Sequence, residues 1–395
     1  MKVVFRCALS IYYHNLRMAF SNEIGEIEIP VSNYIWYDNI TNMFDYFEQW
    51  KINIGDYLQI YIEERTDSFS RVHSLGKDVA QKLLEFTLQG KMIRGGLVCL
   101  GFGLFKEYVS EEATLAAAAI ELFQSALLIH DDIMDCDRTR RGYASVYHQY
   151  EKIVEQLNAN DAEHIGESLG ICAGDIAFFL AFELLSELKC EPALHSRILA
   201  LCARELSYVG IAQMADVLQA VDQKVPAEQD ILKLYLHKTG RYSFSLPMVL
   251  GGMLAVGDDK TIRQLETLGE NLGILFQIKD DELGLFGIEA EVGKPIGSDI
   301  KEAKKTLFYH YLMAELGQQE KTKLESIFGN SSITPSMVQY VKELMTGHGI
   351  KSKVDEKLSF YADKISRIID SLEDVSDTYR GLLRNLLEFN LTRKK

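Results

Sequence analysis

Residues 114–135 read T-L-A-A-A-A-I-E-L-F-Q-S-A-L-L-I-H-D-D-I-M-D, and the apolar part of that stretch decides the fold class. Leu115, Ala118, Ala119, Leu122, Phe123, Ala126 and Leu127 recur at helical spacing and cover most of a helix circumference. A helix apolar nearly all round belongs in the middle of a bundle, packed on several sides. Glu121, Gln124 and Ser125 interrupt the run and aspartates close it, so it reads as a buried helix and not a membrane span. No other run looks long and clean enough to span. The same all-round character returns in Ile171 to Leu185, around Asp175, and in Leu265 to Ile278.

Helical spacing extends outward from this core, through Met43, Phe44 and Phe47, then Ile54, Leu58 and Tyr61, then Val79, Leu83, Leu84 and Phe86. Only 6 prolines occur in 395 residues, well under the usual ~5%, so few points force a helix to stop. Breaks are expected at Gly101 to Gly103, Asn158 to Asp161, Glu191 to Pro192, Val225 to Pro226, Gly257 to Asp259, Gly287 to Ser298 and Gly329 to Pro335. They are spaced like connections within one bundle, and none resembles a flexible linker. The expectation is an all-α chain, one large helical domain over residues 46–395. Residues 1–45 form a mixed appendage in which Val3 to Phe5 and Ile27 to Val31 argue for no more than a strand or an irregular arm.

Lysine and arginine number 42 against 57 acids, a formal charge of −15, so a phosphate backbone would be repelled by the average surface and nucleic acid is excluded as a partner. Six cysteines are scattered without a C-x-x-C pair, which reads as reduced thiols and not a zinc site. Lys2, Arg6 and Arg17 precede the first acid, Glu23, a faint likeness to a targeting segment. No small-x-small cleavage site accompanies it, and the expected location is the cytoplasm.

The chemistry is carried by two acidic clusters, His130-Asp131-Asp132-Ile133-Met134-Asp135 and Gln277-Ile278-Lys279-Asp280-Asp281-Glu282. On a helix Asp131 and Asp135 share a face, with Asp132 one step round, so the three carboxylates can converge on hard cations. Each cluster follows a long apolar segment. Carboxylates near the C-terminal end of a helix sit at the negative end of its dipole, which is unfavourable without a compensating cation. Basic residues complete the constellation: Lys91 and Arg94, then Arg140 and Arg141, then Lys238, Lys294, Lys304 and Lys305. Carboxylates holding divalent cations opposite Arg forks and Lys point charges make a site for a polyanion such as diphosphate.

Gly90-Lys91-x-x-Arg94, Asp131-Asp132-x-x-Asp135 with Arg140-Arg141-Gly142 after it, Lys238-Thr239-Gly240, Phe276-Gln277-x-x-Asp280-Asp281 and Gly293-Lys294 together resemble the trans-isoprenyl diphosphate synthases. The likeness runs in order from about residue 50 to about residue 390 and includes Gly174-Asp175 and Gln213-x-x-Asp216. It implies a single bundle of the isoprenoid synthase type with a central cavity, working as a homodimer. By this resemblance Asp131, Asp132, Asp135, Asp280 and Asp281 bind Mg²⁺, three ions in all. Lys91, Arg94, Arg141 and Gln124 grip isopentenyl diphosphate. Arg140, Lys238, Lys294 and Lys304 hold an allylic diphosphate, with Thr239 and Gln277 in support and Tyr242 a weaker candidate. His130 beside the first cluster is expected to be structural, and the basic run Arg393-Lys394-Lys395 to be a disordered, solvated tail, the alternative being that it closes over bound diphosphate.

The implied reaction is Mg²⁺-dependent head-to-tail prenyl transfer. The allylic diphosphate ionises because its cation is delocalised, and Arg and Lys side chains stabilise the leaving diphosphate. The alkene of isopentenyl diphosphate attacks C1, and the departing diphosphate takes the proton. Two departures stand out: Gly284 replaces the usual third Asp of the second motif, and Ala212 stands where many members have Gly. Product length should depend on the helix leading into Asp131. Leu127 and Ala126, four and five residues before it, form no early floor for a farnesyl product. Phe123 lies one turn deeper and stops the chain about one unit later, since an isoprene unit is roughly 5 Å long, like one helical turn. A C20, geranylgeranyl product is expected, with a farnesyl or longer polyprenyl product as the alternative. A class I terpene cyclase would not need Lys91, Arg94 and Arg141, and a non-catalytic regulatory subunit is invited only by Gly284.

Overall fold

The computed structural model describes residues 42–222, 224–255, 258–287, 297–330 and 332–394. The expected N-terminal arm up to residue 41, and Lys294, lie outside the described residues.

Helix α1 (Met43–Val72) starts at Asn42, whose side-chain oxygen accepts from the Asp45 amide at 3.0 Å, and it buries Tyr46, Trp50, Ile54 and Leu58 completely. It is followed by α2 (Leu75–Leu88), α3 (Ile93–Gly103) and α4 (Glu111–Met134). Ser110 caps α4 by accepting from the Ala113 amide, and Glu111 and Glu112 sit at the positive end of its dipole. Ala116 to Ile120, Leu122 and Phe123 are fully buried, and α4 packs on α1, α3 and further helices, as its all-round apolar sequence requires.

A two-stranded antiparallel hairpin, β1 (Thr139–Arg140) with β2 (Tyr143–Ala144), follows α4 in the register Thr139 to Ala144 and Arg140 to Tyr143. Its turn residues Arg141 and Gly142 have φ of 55° and 83°, the paired positive values of a tight hairpin turn. Then come α5 (Val146–Gln156), α6 (Ala162–Ser186), α7 (Pro192–Val221) and α8 (Glu228–Tyr235). A ten-residue π-helical stretch (Leu236–Ser245) runs directly into α9 (Leu246–Ala255), followed by α10 (Asp259–Phe286). Short α11 (Ser298–Lys301) precedes α12 (Leu307–Glu315), α13 (Gln318–Ile327), α14 (Pro335–Gly347), α15 (Ile350–Ser371) and α16 (Asp377–Thr392). Among the described residues the architecture is all-α apart from the one hairpin, as expected.

Glycine contacts set the tightest approaches. A Cβ at position 101 would lie 2.3 Å from the Met248 carbonyl oxygen, and one at position 251 would lie 2.0 Å from that of Val98. α3 ends at Gly103, inside the break expected at Gly101 to Gly103, and the bare backbone of Gly101 lets α9 close onto it. A Cβ at position 273 on α10 would likewise fall 2.2 Å from the Gly240 Cα. This contact presses the π-helical stretch against α10.

Two expectations change. Ile171 to Leu185 is not surrounded by protein: Ala173, Ala177, Leu180 and Leu184 face the core, but Ile171, Asp175 and Phe179 are exposed. Three segments, Glu111–Met134, Ala162–Ser186 and Pro192–Gln219, are long and apolar enough to cross a membrane by length and composition, where the sequence reading singled out none. The first is mostly buried in the bundle and the last mostly is not. Periodicity alone could not separate an apolar face that meets the core from one that meets something else.

Candidate active site

The C-terminal end of α4 carries Asp131 and Asp132 in its last turn, with Asp135 as the residue that ends the helix. Asp132 is wholly buried and accepts from Arg140 Nε at 2.6 Å and from its Nη2. The hairpin turn is what swings Arg140 back onto Asp132, eight residues earlier in the chain. Asp131 accepts from Gln213 Nε2 on α7 at 3.0 Å and has Arg140 Nη2 at 3.9 Å. Burial, only partly offset by Arg140, pushes the Asp132 carboxyl up to about 6. Asp135 is also pushed up to about 6, first by lost hydration and then by the Asp131 charge, although its side chain reaches solvent at the cleft mouth.

The second acidic wall lies on α10, one to two turns before its end. Asp281 is buried and accepts from Gln277 Nε2 at 3.0 Å and from the Tyr235 hydroxyl, which in turn accepts from the Leu307 amide at 3.2 Å. Burial, and next the Asp299 charge, hold the Asp281 carboxyl well above the usual range. Asp280 is half exposed and faces Arg393, whose Nη2 approaches its Oδ1 at 3.3 Å. Arg393 is no solvated tail: it is 8% exposed, donates to the Phe276 carbonyl at 3.0 Å and lies 3.9 Å from the Phe276 ring centre. The aromatic ring and the carboxylate reward its burial, a pairing invisible in a run of terminal basic residues.

Lys238 and Lys304 stand between the walls. Lys238 pairs with Asp216 on α7. Lys304 is 2.7 Å from Glu302 and 3.9 Å from Asp299. Burial opposes its charge, but Asp299 and Glu302 outweigh that and keep its pKa above the ordinary lysine value. Both lysines lower the Asp135 pKa, while Asp216 acts on Lys304, so the two walls share one field. The Gly240–Gly273 contact brings Thr239 Oγ1 to 2.8 Å from Gln277 Oε1, joining the π-helical stretch to the second wall.

Arg94, Arg141, Gln124 and Lys91 gather on the other side. Met92, at φ 50°, turns the chain into α3 and places Arg94 in its first turn. Arg94 donates to Ser243 Oγ at 2.7 Å, lies 5.4 Å from the Tyr242 ring and keeps a buried Nε with no partner. Arg141 donates to the Phe86 carbonyl at 3.1 Å, and burial depresses its pKa. The sequence reading missed Glu121: it is buried in α4, accepts from the Gly95 amide at 2.7 Å and acts electrostatically on both arginines. Gln124 is buried one turn later, and Lys91 is exposed at the rim. His130 packs against α6, with Nε2 donating to the Ile171 carbonyl at 3.2 Å and a ring that a Cβ at position 174 would strike.

Among the described residues no three acidic, histidine or cysteine side chains converge as a finished metal cage. The carboxylates are instead held by Arg140, Gln213, Tyr235, Gln277 and Arg393. The donor set still fits a hard divalent cation: it is all oxygen, burial and then like charge raise the Asp132, Asp135 and Asp281 carboxyls, and the buried Asp132 Oδ2 has no partner.

An all-α bundle that carries two acidic helix segments, with part-buried arginines and lysines beside them, is the architecture of a prenyltransferase. The family profile described as Polyprenyl synthetase matches residues 76–345, and the chain belongs to that family, the isoprenyl diphosphate synthases. It is 30% identical over 353 residues to a geranylgeranyl diphosphate synthase of Saccharolobus solfataricus, covering 86% of this chain and 99% of that relative. A geranylgeranyl diphosphate synthase of Sulfolobus acidocaldarius is 32% identical over 319 residues, covering 78% and 89%. Among solved structures, the geranylgeranyl pyrophosphate synthase of Corynebacterium glutamicum, complexed with isoprenyl diphosphate and magnesium, superposes with a TM-score of 0.80 at 27% identity, covering 88% of this chain and 99% of that one.

Tyr235, three residues before Lys238, supports Asp281 and the first amide of α12 at once. Tyr235→Phe leaves a buried carboxyl and an amide short of partners and should cost about 1–3 kcal/mol, read as a lower urea midpoint at unchanged slope.

Proposed function

We propose that this chain condenses isopentenyl diphosphate with an allylic diphosphate, using Mg²⁺, to make geranylgeranyl diphosphate. The observation that carries the reading is the facing pair of acidic segments, Asp131–Asp135 and Asp280–Asp281, bridged electrostatically by Lys238 and Lys304. Asp131, Asp132, Asp135, Asp280 and Asp281 would hold three Mg²⁺ ions, which neutralise diphosphate charge when bound. Arg140, Lys238, Lys304 and Lys294 grip the allylic diphosphate and stabilise the charge that develops on it, with Thr239 and Gln277 fixing the geometry of that wall. Lys91, Arg94, Arg141 and Gln124 hold isopentenyl diphosphate, with Glu121 balancing the two arginines and Tyr242 packed under Arg94. Residues 46–395 are the catalytic domain in this reading, residues 1–45 an appendage, and the location cytoplasmic.

The C20 length rests on Phe123. It is fully buried and meets Phe182 edge-on at 4.9 Å and Phe178 at 6.2 Å, so the floor is an aromatic cluster from two helices. The geranylgeranyl relatives point the same way.

The homodimer rests on an exposed apolar stripe. Ile211, Met214, Leu218 and Val221 follow one another along α7, with Ile171 and Phe179 exposed on α6. The opposite side of α7 carries Glu205, Gln213 and Asp216 in polar bonds, which suits a protein interface better than lipid.

Incubation with Mg²⁺, labelled isopentenyl diphosphate and each of the C5, C10 and C15 allylic diphosphates should yield a C20 product. No elongation from any primer would refute prenyl transfer. Asp131→Ala should lower turnover by about 10²-fold or more while leaving the circular dichroism spectrum and melting curve in place. Phe123→Ala should lengthen the product, read by chromatography of the dephosphorylated alcohols, and an unchanged length would remove Phe123 as the floor. Light scattering should give twice the chain mass for the parent and the single-chain mass for Ile211→Glu.

A further inference from the structure

We propose that Arg241 is a positioning residue for the allylic diphosphate, acting through Lys238 and Thr239 by clamping the π-helical stretch between α7 and α10. The proposal rests on the prenyl-transfer reading above and concerns what holds two of its binding residues in place.

A π-helix is rare beyond a single turn, and ten consecutive residues in that form need an outside hold. Lys238 and Thr239 stand in its first turn, with Arg241 two residues further on. Arg241 Nε donates to Glu205 Oε2 at 2.8 Å and its Nη2 to Oε1 of the same residue at 2.9 Å, a two-point grip on a buried side chain of α7. Nη2 also donates to Glu266 Oε1 at 2.7 Å and Nη1 donates to Glu270, both on α10. With three carboxylates already on its guanidinium, Arg241 acts on a diphosphate only through its neighbours.

The clamp lies on the helix faces that lead into the site. Glu266, Glu270, Gly273, Gln277 and Asp281 follow one another at steps of three or four along α10. On that face Gly240 meets Gly273, Thr239 Oγ1 lies 2.8 Å from Gln277 Oε1, and Gln277 Nε2 donates to Asp281 at 3.0 Å. On α7, Glu205 is followed by Gln213, which donates to Asp131, and by Asp216, which pairs with Lys238. Arg241 thus ties the segment that carries Lys238 and Thr239 to both helices those side chains meet.

Electrostatics agrees with the geometry. Lost hydration raises the Glu270 carboxyl in spite of Arg241. It opposes the Glu205 charge as well, but hydrogen bonds from Arg241 and Arg204 outweigh it and lower that pKa. Without the guanidinium, three carboxylates of α7 and α10 would face one another. Any register of the π-helical stretch that turned Arg241 away would carry that penalty, so the network selects the register in which Thr239 meets Gln277. A lysine keeps the charge but is a single point, and it cannot grip both Glu205 oxygens while reaching α10.

The test uses the full chain with Mg²⁺. Calorimetry measures binding of the thio analogue of geranyl diphosphate and, separately, of isopentenyl diphosphate, alongside steady-state kinetics. Arg241→Lys should raise the allylic KM and the thio-analogue Kd about tenfold and lower kcat about tenfold, with the isopentenyl KM and Kd within about twofold of the parent. Glu266→Gln keeps the grip on Glu205 and should move the same parameters the same way by less, which preserves the test where Arg241→Lys fails to fold. Lys238→Ala combined with Arg241→Lys should lose little more kcat than Lys238→Ala alone, because the two act as one unit. Equal weakening of both substrates, an unchanged allylic KM and kcat, or fully additive losses in the double variant would overturn the proposal. A parent that binds the thio analogue yet elongates no primer would refute prenyl transfer, while the binding ratios of the variants would still decide the role of Arg241.

Discussion

Like charges crowded at the ends of two helices are the constraint from which the rest of the structure follows. Burial, and then neighbouring carboxylates, push Asp132, Asp135 and Asp281 above the usual carboxyl range, and α4 adds the negative end of its dipole beside Asp131 and Asp132. The chain answers with cations and donors drawn from distant segments. Arg140 comes from a hairpin, Gln213 from α7, Lys304 from beyond α11, Tyr235 from α8 and Arg393 from the end of α16. The cations neutralise and the neutral donors hydrogen-bond their carboxylates, leaving oxygen lone pairs such as that of Asp132 Oδ2 for a hard cation.

Keeping such a cluster in place requires rigid helices at fixed offsets, and backbone contact between glycines provides them. Gly240 against Gly273 locks the π-helical stretch on α10, so Thr239 faces Gln277. Gly101 and Gly251 do the same for α3 and α9 on the side that carries Arg94. The dense apolar packing of α4 then fixes the direction from which Asp131 and Asp132 enter the cleft. Close-packed interiors transmit position with little slack, which is how residues over a hundred positions apart meet at hydrogen-bond distance.

Much of the site was legible in sequence because it is made of local patterns. Asp131 with Asp135 and Gln277 with Asp281 are helix-spaced pairs, and helical periodicity places each on a common face. Other members were hidden. Arg393 looked like part of a basic tail, Glu121 like a polar interruption, and Tyr235 and Asp299 lay outside every motif. Their roles arise from contacts between distant segments, and a contact of that kind leaves no spacing to read.

The amino-acid sequence by itself determined an all-helical chain, the class of chemistry and most of the charged groups that face one another, since helical period and residue type are local properties. Only the tertiary structure decided which apolar faces are buried, as the exposed stripe of α6 and α7 shows, and which groups complete each other. Gly284 is the clearest instance. Alone in the sequence it is a missing carboxylate; in the folded chain a Cβ there would stand 2.7 Å from the Asp299 carboxylate, a neighbour that no local spacing reveals because the chain turns back on itself to bring it there.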